Sequence, residues 1–171
     1  MSEEKPAKFF IRARYPGMKP AESEIFTRFL METDLTFTKI EYNVRVGLGY
    51  DPGPQYPENI RKMMIQLTQL RIDAVGHRKD EIWLFEVKLR AGMSAIGQLI
   101  SYAEWYRAQY KPKKPIRLGV IAEYYDPNVL PIYETRGISL FLVGEKKAIS
   151  KPLAIEKRKE RYRILQEEKQ L

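Results

Sequence analysis

Residues 82–89 read IWLFEVKL, an almost wholly apolar run into which one acid and one base have been set. A run of this length, rich in aromatic and β-branched residues, predicts a buried strand. Charges inside such a strand require an explanation. The preceding run QLRIDAVG, residues 69–76, is a second strand candidate, and the polar HRKD between them predicts a hairpin. Alternate residues of a strand share a face. Ile82, Leu84, Glu86 and Lys88 therefore point one way, and Trp83, Phe85, Val87 and Leu89 point the other as a core face.

The rest of the pattern surrounds this hairpin with helices. Residues 8–15 (KFFIRARY) suggest a short strand or arm, ended by Pro16, Gly17 and Pro20. From Ala21 the periodicity becomes helical, with Ile25, Phe26, Phe29 and Leu30 forming one apolar stripe. Residues 38–48 predict a strand with Ile40, Tyr42, Val44 and Val46 on one face. The segment GYDPGPQYPENIRKMMIQLTQ begins as a Pro/Gly loop, either functional or a tolerated surface insertion. Ser94 to Tyr110 predicts a helix capped by Ser94 after the turn at Gly92, with Ile96, Leu99, Ile100, Ala103 and Tyr106 inward. Residues 116–122 and 138–143 predict strands, and Asp126 to Arg136 a helix broken or kinked at Pro131. The order is helix, three meandering strands, helix, strand, helix, strand. It implies an α+β fold with a mixed sheet flanked by helices.

Composition bounds the function. Of 171 residues, 30 are Lys or Arg and 22 Asp or Glu, a net charge of +8 that favours polyanions such as nucleic acid. The absence of cysteine excludes disulfides, thiolate metal sites and cysteine-ligated iron–sulfur clusters. The single histidine, His77, excludes paired-histidine catalysis and reads as a turn residue. With no apolar signal region and no membrane-spanning run, a soluble, cytoplasmic protein is expected. Three parts are expected: an N-terminal arm over 1–20, a catalytic domain over 21–145 and a basic tail over 146–171.

The chemistry is carried by the hairpin. A loop from Arg78 to Glu81 pairs His77 with Ile82, and that register sets Asp73 directly opposite Glu86. Their Cβ atoms would then stand roughly 4.5–5.5 Å apart, an unfavourable juxtaposition of like charge. A divalent cation converts that repulsion into attraction, and Mg²⁺ is commonly held by one or two carboxylates with waters and substrate phosphate. Lys88, on the same side, is placed to stabilise charge developing on a phosphate or to orient an attacking water.

RIDAVG, then IWLFEVK, then a helix carrying GQLISYAEWY, resembles the PD-(D/E)xK nuclease superfamily over about Ala21 to Val143. The usual proline before the aspartate is replaced by Ile72. The resemblance implies an αβββαβ restriction-endonuclease-like core. It makes Asp73 and Glu86 the metal-binding acids and Lys88 the catalytic lysine. It further implies a metal-linked acid on the first helix, Glu22 rather than Glu24, and a functional Gln98 on the helix after the catalytic strand. Tyr102 lies one turn beyond Gln98 and stays open between function and packing. The spacing at Glu22 is similar to that of archaeal Holliday-junction resolvases.

The reaction expected from this resemblance is Mg²⁺-dependent hydrolysis of DNA phosphodiesters, with Mn²⁺ able to substitute. The substrate is a branched or otherwise structured DNA, in repair or recombination or in a phage or mobile element. A homodimer is one option. The basic run Arg107, Lys111, Lys113, Lys114 and Arg117 and the tail residues Lys157, Arg158 and Lys159 are the candidate phosphate contacts. The competing function is a non-catalytic nucleic-acid-binding module.

Overall fold

The computed structural model describes residues 3–144. The expected tail contacts Lys157, Arg158 and Lys159 lie outside them. Helix α1 (Pro20–Glu32) precedes strands β2 (Thr36–Phe37) and β3 (Lys39–Val46), helix α2 (Glu58–Thr68) and strands β4 (Leu70–His77) and β5 (Ile82–Ala91). Helix α3 (Met93–Tyr110), strand β6 (Ile116–Tyr125), helix α4 (Leu130–Thr135) and strand β7 (Ile138–Leu142) complete the described chain. A short β1 (Lys5–Pro6) pairs antiparallel with β2.

The five main strands form one mixed sheet in the order β3-β4-β5-β6-β7. The β3–β4 and β4–β5 pairs are antiparallel, and β5–β6 and β6–β7 are parallel. The parallel pairs follow from helical crossovers, α3 between β5 and β6 and α4 between β6 and β7. Omitting α2 and the two-residue β2, the order from α1 to β6 is αβββαβ. Among the described residues, no helix is long and apolar enough to cross a membrane.

β5 is central, so both of its faces are covered. Trp83, Phe85 and Val87 pack with Ile25, Phe26, Phe29 and Leu30 of α1. Ile82 and Leu84 pack with Ala95, Leu99, Tyr102, Ala103 and Tyr106 of α3. The α1 side is largely aromatic, with Trp83 and Phe85 stacked at 5.5 Å and 9° and Phe29 5.2 Å from Phe85. Such pairs add about 0.5–1.5 kcal/mol each beyond buried area. Gly119 on β6 makes room for this cluster, since a Cβ there would stand 2.9 Å from the Phe85 ring.

Several sequence expectations need correction. Leu89 is 47% exposed, because the α1-side core ends at Val87. Ser94 does not cap α3. Gly92 holds the N-cap position, and no side chain bonds there. Ile100 is partly exposed, and Tyr102 is buried instead. The helix expected over 126–136 is a 3₁₀ turn, Pro127–Val129, followed by α4. Pro131 sits in the first turn of α4, where its missing N–H costs nothing. The N-terminal segment is not a free arm: Ala7 and Tyr15 are buried in the α1-side core. It forms a 3₁₀ turn over Ala7–Phe10 rather than a strand over 8–15.

The most consequential correction lies in β3. Ile40 and Tyr42 belong to the α1-side core, whereas Val44 and Val46 belong to the α3 side. Strict alternation would put all four on one face. Asn43, at φ 52, reverses the phase by one residue. β4 shows the same reversal across Asp73, with Ala74 on the α1 side and Ile72 on the α3 side. Asparagine is among the few residues that tolerate the left-handed region at modest cost.

Candidate active site

The hairpin has the expected register. His77 pairs with Ile82 and Ala74 with Phe85. The regular ladder stops at Ala74–Phe85, where the β4 phase reverses. Asp73 fills the gap: its Oδ2 accepts a hydrogen bond from the Val87 backbone N–H at 2.8 Å. A ladder donor that has lost its backbone partner is thereby satisfied by a carboxylate, which fixes Asp73 beside β5.

Glu86 is only 2% exposed, the sole charged residue among the buried residues described. Its Oε1 meets Lys88 Nζ at 2.7 Å. Its Oε2 is buried and has no hydrogen-bond partner among the described residues. Burial first, and then the neighbouring Glu86 carboxylate, push the Asp73 carboxyl up to about 7. The Val87 N–H and Lys88 partly oppose that rise. Burial also raises Glu86, with Lys88, Tyr102 and Gln98 acting to keep it charged. The two acids therefore resist being ionised together. An unpartnered buried carboxylate oxygen and a second acid held near neutrality form a donor pair suited to a hard divalent cation.

α3 supplies the roof. Gln98 Nε2 donates to the Tyr102 hydroxyl at 3.1 Å, and both side chains bear on Glu86. Tyr102 is 3% exposed, and its hydroxyl is pushed well above the usual phenol range, first by burial and then by the Glu86 charge. The sequence left Tyr102 open between function and packing. It is packed in the α3-side core, and its hydroxyl lies close enough to Glu86 and Asp73 to feel both charges.

Asp73, Glu86, Lys88 and Gln98 are thus brought together. Glu22 is brought near but not into contact. Its charge raises Asp73, while its own Oε2 accepts from the Lys19 backbone N–H at 2.8 Å in a capping box. Among the described residues, no group of three or more His, Asp or Glu side chains converges in a metal-binding arrangement. Glu24 instead pairs with Arg28 on the helix surface.

The basic run lies elsewhere. Arg117 stands beside Trp83, three residues before Glu86 and so about 10 Å away along the strand. Arg117 Nε bonds Glu81 at 3.1 Å, and Lys114 Nζ donates to the Arg78 carbonyl at 2.7 Å. These two residues tie down the hairpin turn. Lys111 is the left-handed C-cap of α3, and Lys113 and Arg107 are exposed. His77 is not a bare turn residue, because its Nε2 meets Glu41 Oε2 at 2.6 Å.

Sequence reasoning missed two features. Asn43 could have been suspected as a β-depleted residue inside a strand pattern. Helix α2 could have been found from Ile60, Met63, Met64 and Leu67 at helical spacing after Pro57. No family model, curated protein or solved structure matches this chain.

Proposed function

We propose that this protein is a metal-dependent DNA endonuclease of the PD-(D/E)xK type. The observation that carries the reading is the Asp73–Glu86 pair, in which Asp73 is half-buried and Glu86 is buried with one carboxylate oxygen unpartnered and Lys88 at its side. Two neighbouring acids sharing one ammonium, Lys88, with a buried carboxylate oxygen left unpartnered, are costly, and such costs are commonly tolerated at functional sites. The αβββαβ order and the Gln98–Tyr102 contact fit the same reading.

Asp73 and Glu86 would hold Mg²⁺, which lowers the pKa of a bound water and neutralises charge on a scissile phosphate. Asp73 supplies a carboxylate whose position is fixed by the Val87 N–H. Glu86 offers its free Oε2 while Oε1 stays on Lys88. Lys88 presents an ammonium to the phosphate or the nucleophile. Gln98 and Tyr102 limit how far Glu86 can turn. Glu22 reaches the site only by releasing its capping bond. The net charge of +8 supplies sequence-independent attraction to DNA that weakens with salt.

The test is incubation of the full chain with linear, flapped and four-way-junction DNA, with Mg²⁺ or with EDTA. Cleavage of at least one substrate, dependent on metal and lost in Asp73→Asn, is expected. Binding without cleavage of any substrate would instead support a non-catalytic nucleic-acid-binding module. Paired nicks confined to the junction would identify a Holliday-junction resolvase.

A further inference from the structure

The phase reversal that frees Asp73 has a second effect on β3 and β4. Beyond it, Val44, Val46 and Ile72 pack in the α3-side core. Arg45 and Arg71 alternate with them and so project from the opposite face, the one that carries α1. The α1-side core reaches these two strands only as far as Tyr42 and Ala74, and both arginines are exposed. They are also direct partners in the β3–β4 register. Their Cβ atoms therefore stand roughly 4.5–5.5 Å apart, and like charges opposed in this way are unfavourable.

Other arginines of the chain hold acids. Arg28 meets Glu24, Arg61 meets Asp51, Arg78 and Arg117 meet Glu81, and Arg90 meets Asp126. Among the described residues, the side chains of Arg45 and Arg71 meet none. Two guanidinium forks side by side, with every donor free, match the oxygens of a phosphate. The pair lies next to the candidate acids, since Arg71 is two residues before Asp73, about 7 Å along the strand. The same face continues basic. Residues 5–21 hold five Lys or Arg and no acid, and this segment crosses β3 with Arg12 5.0 Å over the Tyr42 ring and Gly17 against Asn43.

We propose that Arg45 and Arg71 form a clamp for a backbone phosphate of nucleic acid, neighbouring the phosphate that Asp73 and Glu86 address. The register of the clamp on the substrate rests on the nuclease reading; its ligand does not. The sequence pointed to the run from Arg107 to Arg117 for phosphate contacts. The unpaired arginines on the open sheet face put them beside the acids instead.

The test is binding of a short labelled DNA duplex to the full chain in EDTA, by anisotropy over a series of salt concentrations. Arg45→Gln combined with Arg71→Gln should weaken binding about tenfold or more. The slope of log affinity against log salt should flatten by about 1.8, since each phosphate contact contributes about 0.9. Arg45→Lys combined with Arg71→Lys keeps both charges and should restore most of the slope. The control is Lys79→Gln combined with Arg136→Gln. It removes the same charge from exposed positions, in the hairpin turn and just before β7, and should leave the slope unchanged. The glutamine variant should melt no lower than the wild type, because an opposed like-charge pair is relieved. An unchanged slope in that variant, or an equal flattening in the control, overturns the proposal. So does loss of inorganic phosphate binding with duplex affinity intact, which would mark a site for a free anion. A flattened slope in a chain that cleaves no DNA supports the clamp and removes the nuclease reading. Metal-dependent cleavage with an unchanged slope does the reverse.

Discussion

The carboxylate of Asp73 holds the backbone N–H of Val87 at 2.8 Å, one residue past Glu86 on the neighbouring strand. That bond lies where the ladder between β4 and β5 ends, at Ala74–Phe85. The break in the ladder and the acid pair are therefore one feature. Releasing β4 from β5 creates the space between the acids, and Asp73 closes the backbone donor left behind.

Asp73→Asn keeps an acceptor for Val87 while removing one of two opposed charges. A carboxyl whose folded pKa is raised favours the fold when protonated. Its contribution is intact below about pH 4 and lost as pH rises to about 7. The variant should therefore melt higher than the wild type at pH 8, on the order of 5 °C, with little difference at pH 4. Metal-dependent cleavage should disappear. Thermal melts at the two pH values, in EDTA, check the first part.

On the proposed reading, a divalent metal competes with the proton on this pair. Apparent Mg²⁺ or Mn²⁺ affinity should rise as pH increases toward about 7 and then level off, with protons released on binding. Calorimetry in two buffers of different ionisation enthalpy measures the release. A pH-independent affinity with no proton release would place the metal elsewhere.

Lys88→Ala leaves Glu86 buried without its cation. Lys88 is about a quarter exposed, so the cost should fall below that of a fully buried pair, about 1–3 kcal/mol by urea denaturation. Cleavage should fall by about 10²-fold or more if the ammonium faces the phosphate. Lys88→Arg should recover much of the stability and less of the rate, since the fork differs from a point charge.

Asn43→Val should disturb the site from a distance. A β-branched residue at φ 52 costs about 1–2 kcal/mol, and relief of that strain moves β3 toward unbroken alternation. The Asn43 side chain also packs where a Cβ on Gly17 would be, 2.7 Å away. Asn43→Gly should fold with near-native stability. Cleavage by the valine variant should drop more than its melting temperature suggests, and kinetics on both variants tests this.

Much was legible in the chain because it is local. The apolar run over 82–87, the polar turn and the helical stripe at Ile25, Phe26, Phe29 and Leu30 follow from side-chain period and turn chemistry alone. So did the pairing of His77 with Ile82 and Ala74 with Phe85, since loop length fixes pairing in a hairpin; beyond Ala74 the ladder stops, and Asp73 accepts from Val87 rather than standing paired with Glu86. The reversed phase at Asn43 was not legible. A period-2 reading assumes unbroken alternation, and only the demand for two cores, one under each helix, makes a left-handed residue worthwhile there.

The sequence by itself determined which residue types stand on the central strand and that an acid of the neighbouring strand comes close to Glu86. The tertiary structure decided what that confrontation becomes. It buried Glu86 beneath Tyr102, left Oε2 without a partner and tied Asp73 to Val87. It also turned Arg117 and Lys114 toward the hairpin and left α2 uncovered. The physical reason is that burial and partnership are properties of the packed sheet and its helices. A carboxylate's desolvation depends on residues far away in the chain, and no spacing rule along one strand contains them.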